Sequence, residues 1–576
     1  MTVVLWLAPL VLPLLLAGVV TARPGPRSWA LLAVAPLPAL VLALVGPVLD
    51  PPALPWLLLE VHLALDGVGR LLLVLTALAW TVAGVYSRAE VEQQGGYAAW
   101  WLLSLSGNVG VLLADDVLTF YTAFVVMTLA AYGLVVHTRT ATSRRAGRAY
   151  LVLGVAGETL LLAGLLLAVA DATGLRLPEV ATAVASSDQR DLIVGLLVAG
   201  FGIKAGLLGL HVWLPLAHPA APFPASAVLS GAMIKAGLVG WLRLLPVGEV
   251  ALPAWSTLLV GLGLAGAFVG VLLGLTHTSP KVLLAYSSVS QMGFVALLVG
   301  VAIGTPAVAP IAAAAAAAYA LHHGLAKAVL FLGVGLWARA TRPRQRSLLL
   351  GGIVVAGASL AGLPLTSGAF AKAWMKDSVA LGALPAGVTT ATSLAAAGTT
   401  LLMLRLLVLL RAQPVPAQHQ RIVLGPWLAL SGTVVALTPV LVPRLLAELP
   451  LPSSSSLIRD ALWPALLGAG LAAAAVTVAR RTSLRLPTVP AGDLVVLEER
   501  AVAGLADGLA RTCVPVVAAT IQASLSLRDA VARLARHGPL LDRIEDRLTR
   551  WSTGGAMVAL VAAALLLALS LDPPTP

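Results

Sequence analysis

Apolar stretches separated by short polar loops repeat along almost the whole chain. Each is about 20 residues long, the length that an α-helix needs to cross a bilayer core of about 30 Å. The pattern predicts an all-α polytopic membrane protein with about sixteen transmembrane helices, the first of them retained at the N-terminus. The predicted segments are 1–20, 28–48, 68–87, 97–114, 116–137, 148–171, 191–215, 222–247, 252–276, 282–304, 308–338, 349–381, 386–411, 422–443, 457–479 and 553–572.

Two of these segments, the seventh and the twelfth, carry residues that interrupt a helix. Pro and Gly free backbone groups inside a membrane helix, and matched breaks in two halves of a transporter point to an ion site. The spacing predicts two inverted five-helix repeats, made of segments 4–8 and 9–13, although ordinary proline kinks are the alternative. The predicted break residues are His211, Pro215, His218, Pro219 and Pro222 in the seventh segment, and Pro364 and Gly368 in the twelfth.

A change of pattern near the C-terminus completes the predicted organisation. Charged residues alternate with apolar ones over 493–550, which is typical of an amphipathic helix lying along a membrane or a partner, with a polar linker as the alternative. The predicted units are N-terminal transmembrane helices (1–96), the two repeats (97–250 and 251–412), C-terminal transmembrane helices (413–485), a lateral helix (486–552) and a final transmembrane helix (553–576).

Composition and charge exclude several classes of function. The chain is 59% hydrophobic and 11% charged, with a net charge of +12. Its arginines lie in loops after odd-numbered segments, so they indicate cytoplasmic loops and both termini outside rather than a nucleic-acid surface. One cysteine, Cys513, is too few for a disulfide or a cysteine-bound cluster. With no nucleotide fingerprint and no metal spacing, we expect no cofactor, no metal and no catalytic centre in this chain.

Lysine is rare and confined to the apolar middle. The chain has six lysines, all between Lys204 and Lys376, whereas its other cations are arginines. An ionisable side chain inside a membrane helix costs at least about 2.5 kcal/mol and is therefore expected to be functional. A buried lysine, unlike an arginine, can lose its proton. Proton or cation transport is therefore predicted from four lysines within or beside breaks in apolar stretches: Lys204, Lys235, Lys327 and Lys372.

Ordered motifs over roughly residues 60–410 resemble the signature of antiporter-like membrane subunits. They are KAGLLGLHVWLP with AHPAAP from Lys204, SAVLSGAMIKAG from Ser226, KVLLAYSSVSQMG from Lys281, and GLPLTSGAFAK from Gly362. That family includes the proton-pumping arm of respiratory complex I, membrane-bound hydrogenases and formate hydrogenlyases, and Mrp-type cation/proton antiporters. The terminal amphipathic helix is similar to the lateral helix of distal subunits in this family.

The resemblance implies a chain of buried, protonatable residues along the membrane midplane. Lys204 would stand beside the first break and Lys235 at the centre, His323 and Lys327 would extend the relay, and Lys372 would form the exit. It also implies that other membrane subunits are partners, bound through the lateral helix 493–550. His211 and His218 are assigned a structural role, because most single membrane histidines hydrogen-bond a neighbouring helix.

The chain departs from the family in its fifth segment. A glutamate there usually pairs with the lysine of the seventh segment, but Val125 occupies that position. Glu158, in the sixth segment, is the acid in an apolar span near that half. We therefore expect Glu158 to pair with Lys204, with a simple polar contact between helices as the alternative.

The predicted function is a proton-translocating subunit of a larger energy-converting complex in the bacterial inner (plasma) membrane. It would be a non-catalytic part of a redox-driven pump such as a quinone oxidoreductase or hydrogenase complex, and Na⁺/H⁺ antiport stays open. One alternative is a proton channel that energises an inorganic-carbon uptake complex with a soluble partner. Another is a docking subunit without transport, which Val125 favours and the four retained lysines oppose. The ion, its direction and the driving reaction are undetermined by the sequence.

Overall fold

A computed structural model describes residues 2–22, 26–46, 49–54, 57, 60–90, 95–382, 384–417, 422–481 and 489–492. The predicted lateral helix and the predicted segment 553–572 lie outside these residues. Within the described ranges, twelve helices are long and apolar enough to cross a membrane. The chain is a mostly helical, multi-pass membrane protein, as predicted.

The described part contains twenty α-helices, a π-helix, a 3₁₀ turn and one short hairpin. The α-helices, α1 to α20 in chain order, are Thr2–Ala22, Pro26–Val34, Leu37–Val45, Gly67–Glu90, Gly95–Leu113, Val117–Val135, Ala141–Ala170, Leu177–Ser186, Arg190–Ala205, Trp213–Ala220, Phe223–Val228, Lys235–Leu244, Pro253–Thr276, Pro280–Gly304, Ala309–Trp337, Pro343–Ala361, Ser367–Leu381, Gly387–Ala412, Gly425–Leu445 and Ser454–Arg481. The π-helix is Leu229–Met233, the 3₁₀ turn is Pro306–Val308, and strands β1 (Ala53–Leu54) and β2 (Val61–His62) pair antiparallel with Ala53 opposite His62.

Helices lie at fifteen of the sixteen predicted segments. Twelve of them are the long spans, and the other three are short or interrupted. Segment 28–48 is two short helices, α2 and α3, which meet at Pro36. Segments seven and twelve are split into α9 with α10 and α16 with α17. The number sixteen itself stays a prediction, because the last segment lies beyond the described residues.

The two breaks have the same local geometry. Gly206 follows α9 with φ +75° and Gly362 follows α16 with φ +84°, a left-handed conformation that glycine adopts without a steric penalty. In each case the next residue donates its N–H to the carbonyl five residues earlier, at 2.9 and 3.0 Å. This pattern closes a helix end by satisfying its last carbonyls. Matched breaks are thus present, while the repeat relationship stays a prediction.

The first break begins earlier in the chain than the prolines of the seventh segment suggest. It extends over residues 206–212, so His211 is the one predicted residue of the seventh segment that lies in it. Pro215 is in the first turn of α10, His218 and Pro219 are in its last turns, and Pro222 precedes α11. At the second break Pro364 lies in the connecting loop and Gly368 in the first turn of α17. Proline is tolerated in a first turn because its missing N–H would have no helical partner.

Helices α14 and α15 form the centre of the protein. Every residue in their apolar windows is buried, and α15 contacts α4, α11, α14, α16, α17 and α19. By contrast, most of the apolar window of α20 is exposed, so this helix lies at the periphery of the described part. A side chain on the inner helices is therefore kept away from lipid on all sides.

Glycines allow α13 and α14 to approach closely. A Cβ on Gly293 would lie 2.4 Å from the carbonyl oxygen of Gly263, and one on Gly263 would lie 2.5 Å from that of Gly293. Helix pairs in membranes use small residues in this way, since lipid supplies little hydrophobic drive for helix association. The backbone contact therefore requires glycine on both helices.

We predict that Gly293→Ala destabilises the protein by about 1–3 kcal/mol, because the added methyl group overpacks a backbone contact. Thermal unfolding in detergent measures the effect. Gly261→Ala is the matched control on α13, since a Cβ there meets no atom within 4 Å; its melting temperature should stay unchanged or rise slightly. Equal melting temperatures for the two variants would contradict the packing argument.

Candidate functional site

The six residues predicted to form a relay are all buried, none more than 8% exposed. They come from five helices that surround the protein interior. Glu158 is on α7, Lys204 ends α9, Lys235 begins α12, His323 and Lys327 are on α15, and Lys372 is on α17. Charged groups at this depth need partners within the protein, because no water is available in the bilayer core.

At one end of the row, Lys204 is held by two hydroxyl groups. Its Nζ donates to Thr128 Oγ1 at 3.1 Å and to Tyr150 OH at 3.3 Å. The hydroxyl of Tyr150 donates in turn to the Thr128 carbonyl at 3.1 Å. Thr128 follows Val125 by three residues and lies near the same face of α6. The contact from α6 to Lys204 is thus made by the hydroxyl of Thr128, a residue that the sequence analysis did not identify.

Glu158 lies beside this group. It interacts electrostatically with Lys204 and approaches Thr128, and Tyr121 OH donates to its backbone carbonyl at 3.3 Å. Its two carboxylate oxygens are buried and have no hydrogen-bond partner in the described part of the chain. A cavity of about 10 Å³ beside Lys204 is lined by Thr128 and Tyr150, and a space of about this size holds one water. The pairing of Glu158 with Lys204 stays a prediction.

The central lysine follows an irregular turn that the sequence did not reveal. The π-helix Leu229–Met233 ends two residues before Lys235, whose Nζ donates to the carbonyl of Ser230 at 2.5 Å. The Ser230 hydroxyl bonds the Ser288 hydroxyl on α14 at 2.8 Å. Short π-helical turns are rare and frequently occur at functional sites. This irregular turn brings a backbone carbonyl to the buried ammonium group.

Lys327 lies on the buried helix α15 and contacts α14. Its Nζ donates to the Leu284 carbonyl at 2.6 Å and to the hydroxyl of Ser287. His323 lies one turn earlier on the same face, in electrostatic contact with Lys235 and Lys327. Neither ring nitrogen of His323 has a hydrogen-bond partner among the described residues. An imidazole in this position can accept or donate a proton between the two lysines.

His218 belongs to the same group, although the sequence assigned it a structural role. It is fully buried, and its ring stacks on Phe331 with centroids 4.8 Å apart. It interacts electrostatically with Lys235, Lys281 and Lys327. Both of its ring nitrogens lack a hydrogen-bond partner in the described ranges. The helix-break motif therefore brings a second free imidazole to the lysines.

At the second break, Lys372 Nζ donates to the carbonyl of Ala361, the last residue of α16, at 2.7 Å. Near it, His322 Nδ1 bonds the Ser367 hydroxyl at 2.9 Å, which is 3.0 Å from the Ser359 hydroxyl. Gly368 packs so tightly here that a Cβ would lie 1.7 Å from the Ser359 carbonyl. The break thus anchors both a lysine and a histidine.

A second group of buried polar side chains lies beside His322. Tyr319 OH donates to Gln291 Oε1 at 2.7 Å, and Gln291 Nε2 donates to Thr399 Oγ1 at 3.1 Å. The Tyr319 ring stands perpendicular to that of His322, 5.9 Å away. Two sequence signals could have identified this group: the glutamine in the motif from Lys281, and a tyrosine within an alanine run. No group of three or more His, Cys, Asp or Glu that could hold a metal occurs in the described residues.

Comparisons with known proteins identify related sequences and structures. The profile of the family described as NADH:quinone oxidoreductase/Mrp antiporter, TM, matches residues 114–375. NADH-quinone oxidoreductase subunit N of Desulforudis audaxviator is 30% identical over 58% of this chain and 68% of its own length. Hydrogenase-4 component B of Escherichia coli is 32% identical over 48% of this chain and 43% of its own length.

Solved structures show the same fold. The Mrp complex from Dietzia sp. DQ12-45-1b matches with a TM-score of 0.71 and 23% identity, over 98% of this chain and 63% of that one. The membrane-bound sulfane sulfur reductase, an archaeal respiratory membrane complex, matches with a TM-score of 0.65 and 19% identity, over 81% of this chain and 99% of that one.

The chain belongs to the NADH:quinone oxidoreductase/Mrp antiporter family of membrane proteins, which confirms the resemblance seen in its motifs. Its match spans less than half the length of the hydrogenase-4 component and about two thirds of the subunit N relative. All six relay residues lie within the matched range 114–375.

We predict that Thr128→Val and Tyr150→Phe act as one unit around Lys204. Each should cost about 0.6–1.7 kcal/mol, the size of an interhelical hydrogen bond in a membrane protein. Because the two hydroxyl groups share a bonding network, the double variant should lose less than the sum of the single losses. Thermal unfolding of the four proteins in detergent tests this; strict additivity would contradict a shared network.

Proposed function

We propose that this chain is a proton-translocating membrane subunit of a larger energy-converting complex. The observation that carries the proposal is the set of buried lysines and histidines between Lys204 and Lys372, whose ammonium groups donate to hydroxyl groups and backbone carbonyls. Four buried lysines in a membrane interior are difficult to explain by packing alone. Lysine and imidazole can both gain and lose protons, so the row offers successive proton carriers.

Repulsion between neighbouring cations couples the protonation of one lysine to that of the next. Lys235 and Lys327 interact electrostatically, and His218 and His323 lie within the field of both. A proton that arrives at one lysine therefore favours release from the next. We propose that Glu158, by moving towards or away from Lys204, controls whether Lys204 is protonated. It would do so in place of the carboxylate missing at Val125.

The proposed partners are other membrane subunits and the lipid bilayer. Relatives of this chain are named as a subunit of an NADH-quinone oxidoreductase and as a component of hydrogenase-4. We propose a comparable assembly in a bacterial inner membrane, with the lateral helix 493–550 contacting neighbouring subunits, the arginine-rich loops cytoplasmic and both termini outside. We propose that the driving reaction takes place in one of these partners.

Protons are favoured over Na⁺ as the transported ion. Transporters commonly coordinate Na⁺ with carbonyls freed at helix breaks. Here such carbonyls already accept lysine ammonium groups, as at Ala361 and Ser230. We predict that replacing Na⁺ by choline leaves driven proton flux in sealed vesicles unchanged; a flux that requires Na⁺ would establish antiport instead.

Proton flux in sealed vesicles containing the purified complex tests the proposed function. We predict that Lys204→Ala abolishes driven flux and that Glu158→Gln lowers it strongly, whereas Arg344→Ala, a change of an exposed cation at the start of α16, leaves it unchanged. Loss in Lys204→Ala alone would keep the relay and remove Glu158 from it. Normal flux in both variants, in a fully assembled complex, would favour a docking subunit without transport.

A further inference from the structure

The cavity beside Lys372 is also lined by two charged residues, Lys376 and Asp460, that are not part of the proposed relay. A cavity of about 10 Å³, enough for one water, is lined by Lys372, Lys376 and Asp460. Lys372 and Lys376 lie one turn apart on α17, and Asp460 lies near the start of α20. Asp460 and Lys376 are both outside the range matched by the family profile. A second titratable cluster therefore adjoins the last lysine of the row.

Pro464 explains why this cluster is held together. Proline has no N–H, so a proline inside a helix leaves the carbonyl four residues earlier without its helical donor. In α20 that carbonyl belongs to Asp460, and Lys376 Nζ donates to it at 2.9 Å. The lysine thus replaces the missing backbone donor and ties α17 to α20 beside the cavity.

The carboxylate of Asp460 lies within the field of both neighbouring charges on α17. It interacts electrostatically with Lys376 and with Asp377, and Lys376 interacts with Lys372. Asp460 is half-buried and Asp377 is exposed. Charges thus run from the buried ammonium of Lys372 through a half-buried acid to an exposed acid at the surface.

We propose that Asp460 accepts the proton that leaves Lys372, with Lys376 and Pro464 as positioning residues. This inference rests on the proposed function. The Lys372 ammonium gives its proton to a water in the cavity and becomes a neutral amine, while that water passes a proton to the Asp460 carboxylate. The resulting carboxylic acid releases its proton to solvent near Asp377, so that no other reactant is needed.

Driven proton flux of the purified full complex in sealed vesicles is the test. Asp460→Asn keeps the size of the side chain but removes the proton acceptor, so flux should fall at least about tenfold, as for loss of a positioned proton-transfer group. Asp460→Glu should retain most of the flux. Pro464→Ala should cause a smaller loss, because the restored N–H competes with Lys376 for the carbonyl. Asp188→Asn, an exposed acid before α9, is the matched control and should have no effect.

Lys204→Ala, measured in parallel, separates this inference from the proposed function. If Lys204→Ala abolishes flux and Asp460→Asn does not lower it, Asp460 is not the exit and the proposed function stands. If neither lowers flux, the proposed function itself fails. An Asp460→Glu variant that assembles and is as inactive as Asp460→Asn would also overturn the inference, because a carboxylate alone would then not suffice.

Discussion

The structure depends on how it satisfies ammonium groups in a membrane interior that holds little water. An unpaired polar group in the bilayer core costs several kcal/mol. Helix interruptions leave backbone carbonyls without a helical N–H donor, and lysine side chains donate to these carbonyls instead. Lys235 bonds a carbonyl of the π-helix, Lys372 bonds the last residue of α16, and Lys376 bonds the carbonyl that Pro464 leaves free. Lys281 similarly donates to the carbonyl of Ala221, where α10 ends. The lysine supplies the donor that the carbonyl lacks, and the carbonyl supplies an acceptor for the buried ammonium group.

This reciprocity explains why irregular backbone and buried charge occur together. A neutral amine can still share the hydrogen bond of a carbonyl, so a lysine anchored in this way can change its charge without leaving its place. Lys204 differs, since its partners are the hydroxyl groups of Thr128 and Tyr150. That end of the row contains the valine at position 125, and the acid Glu158 lies nearby on another helix. Lys204 is thus bonded differently near Val125, the position at which the resemblance led us to expect a glutamate.

Much of the architecture could be predicted from apolar length and from a few residue types. Helices of about 20 residues, both broken segments and the burial of all six proposed relay residues were predicted in this way. The partners of the lysines were not, because hydrogen bonds such as that between Lys376 and Asp460 join residues 84 positions apart. The π-helix carries no proline to reveal it. His218 was assigned a structural role because most single membrane histidines hydrogen-bond a neighbouring helix. Only the packing of α10 against α14 and the stacking of the His218 ring on Phe331 place it among the lysines.

The central claim is that the buried lysines act by losing and gaining protons, not merely as fixed positive charges. Lys235→Arg tests this most directly, since arginine keeps the charge and the donor groups but does not release its proton under physiological conditions. Driven proton flux should be measured for the assembled variant complex. Our account predicts that flux is abolished. Flux close to that of the unaltered complex would contradict it, because a permanent charge at the centre of the row would then be sufficient.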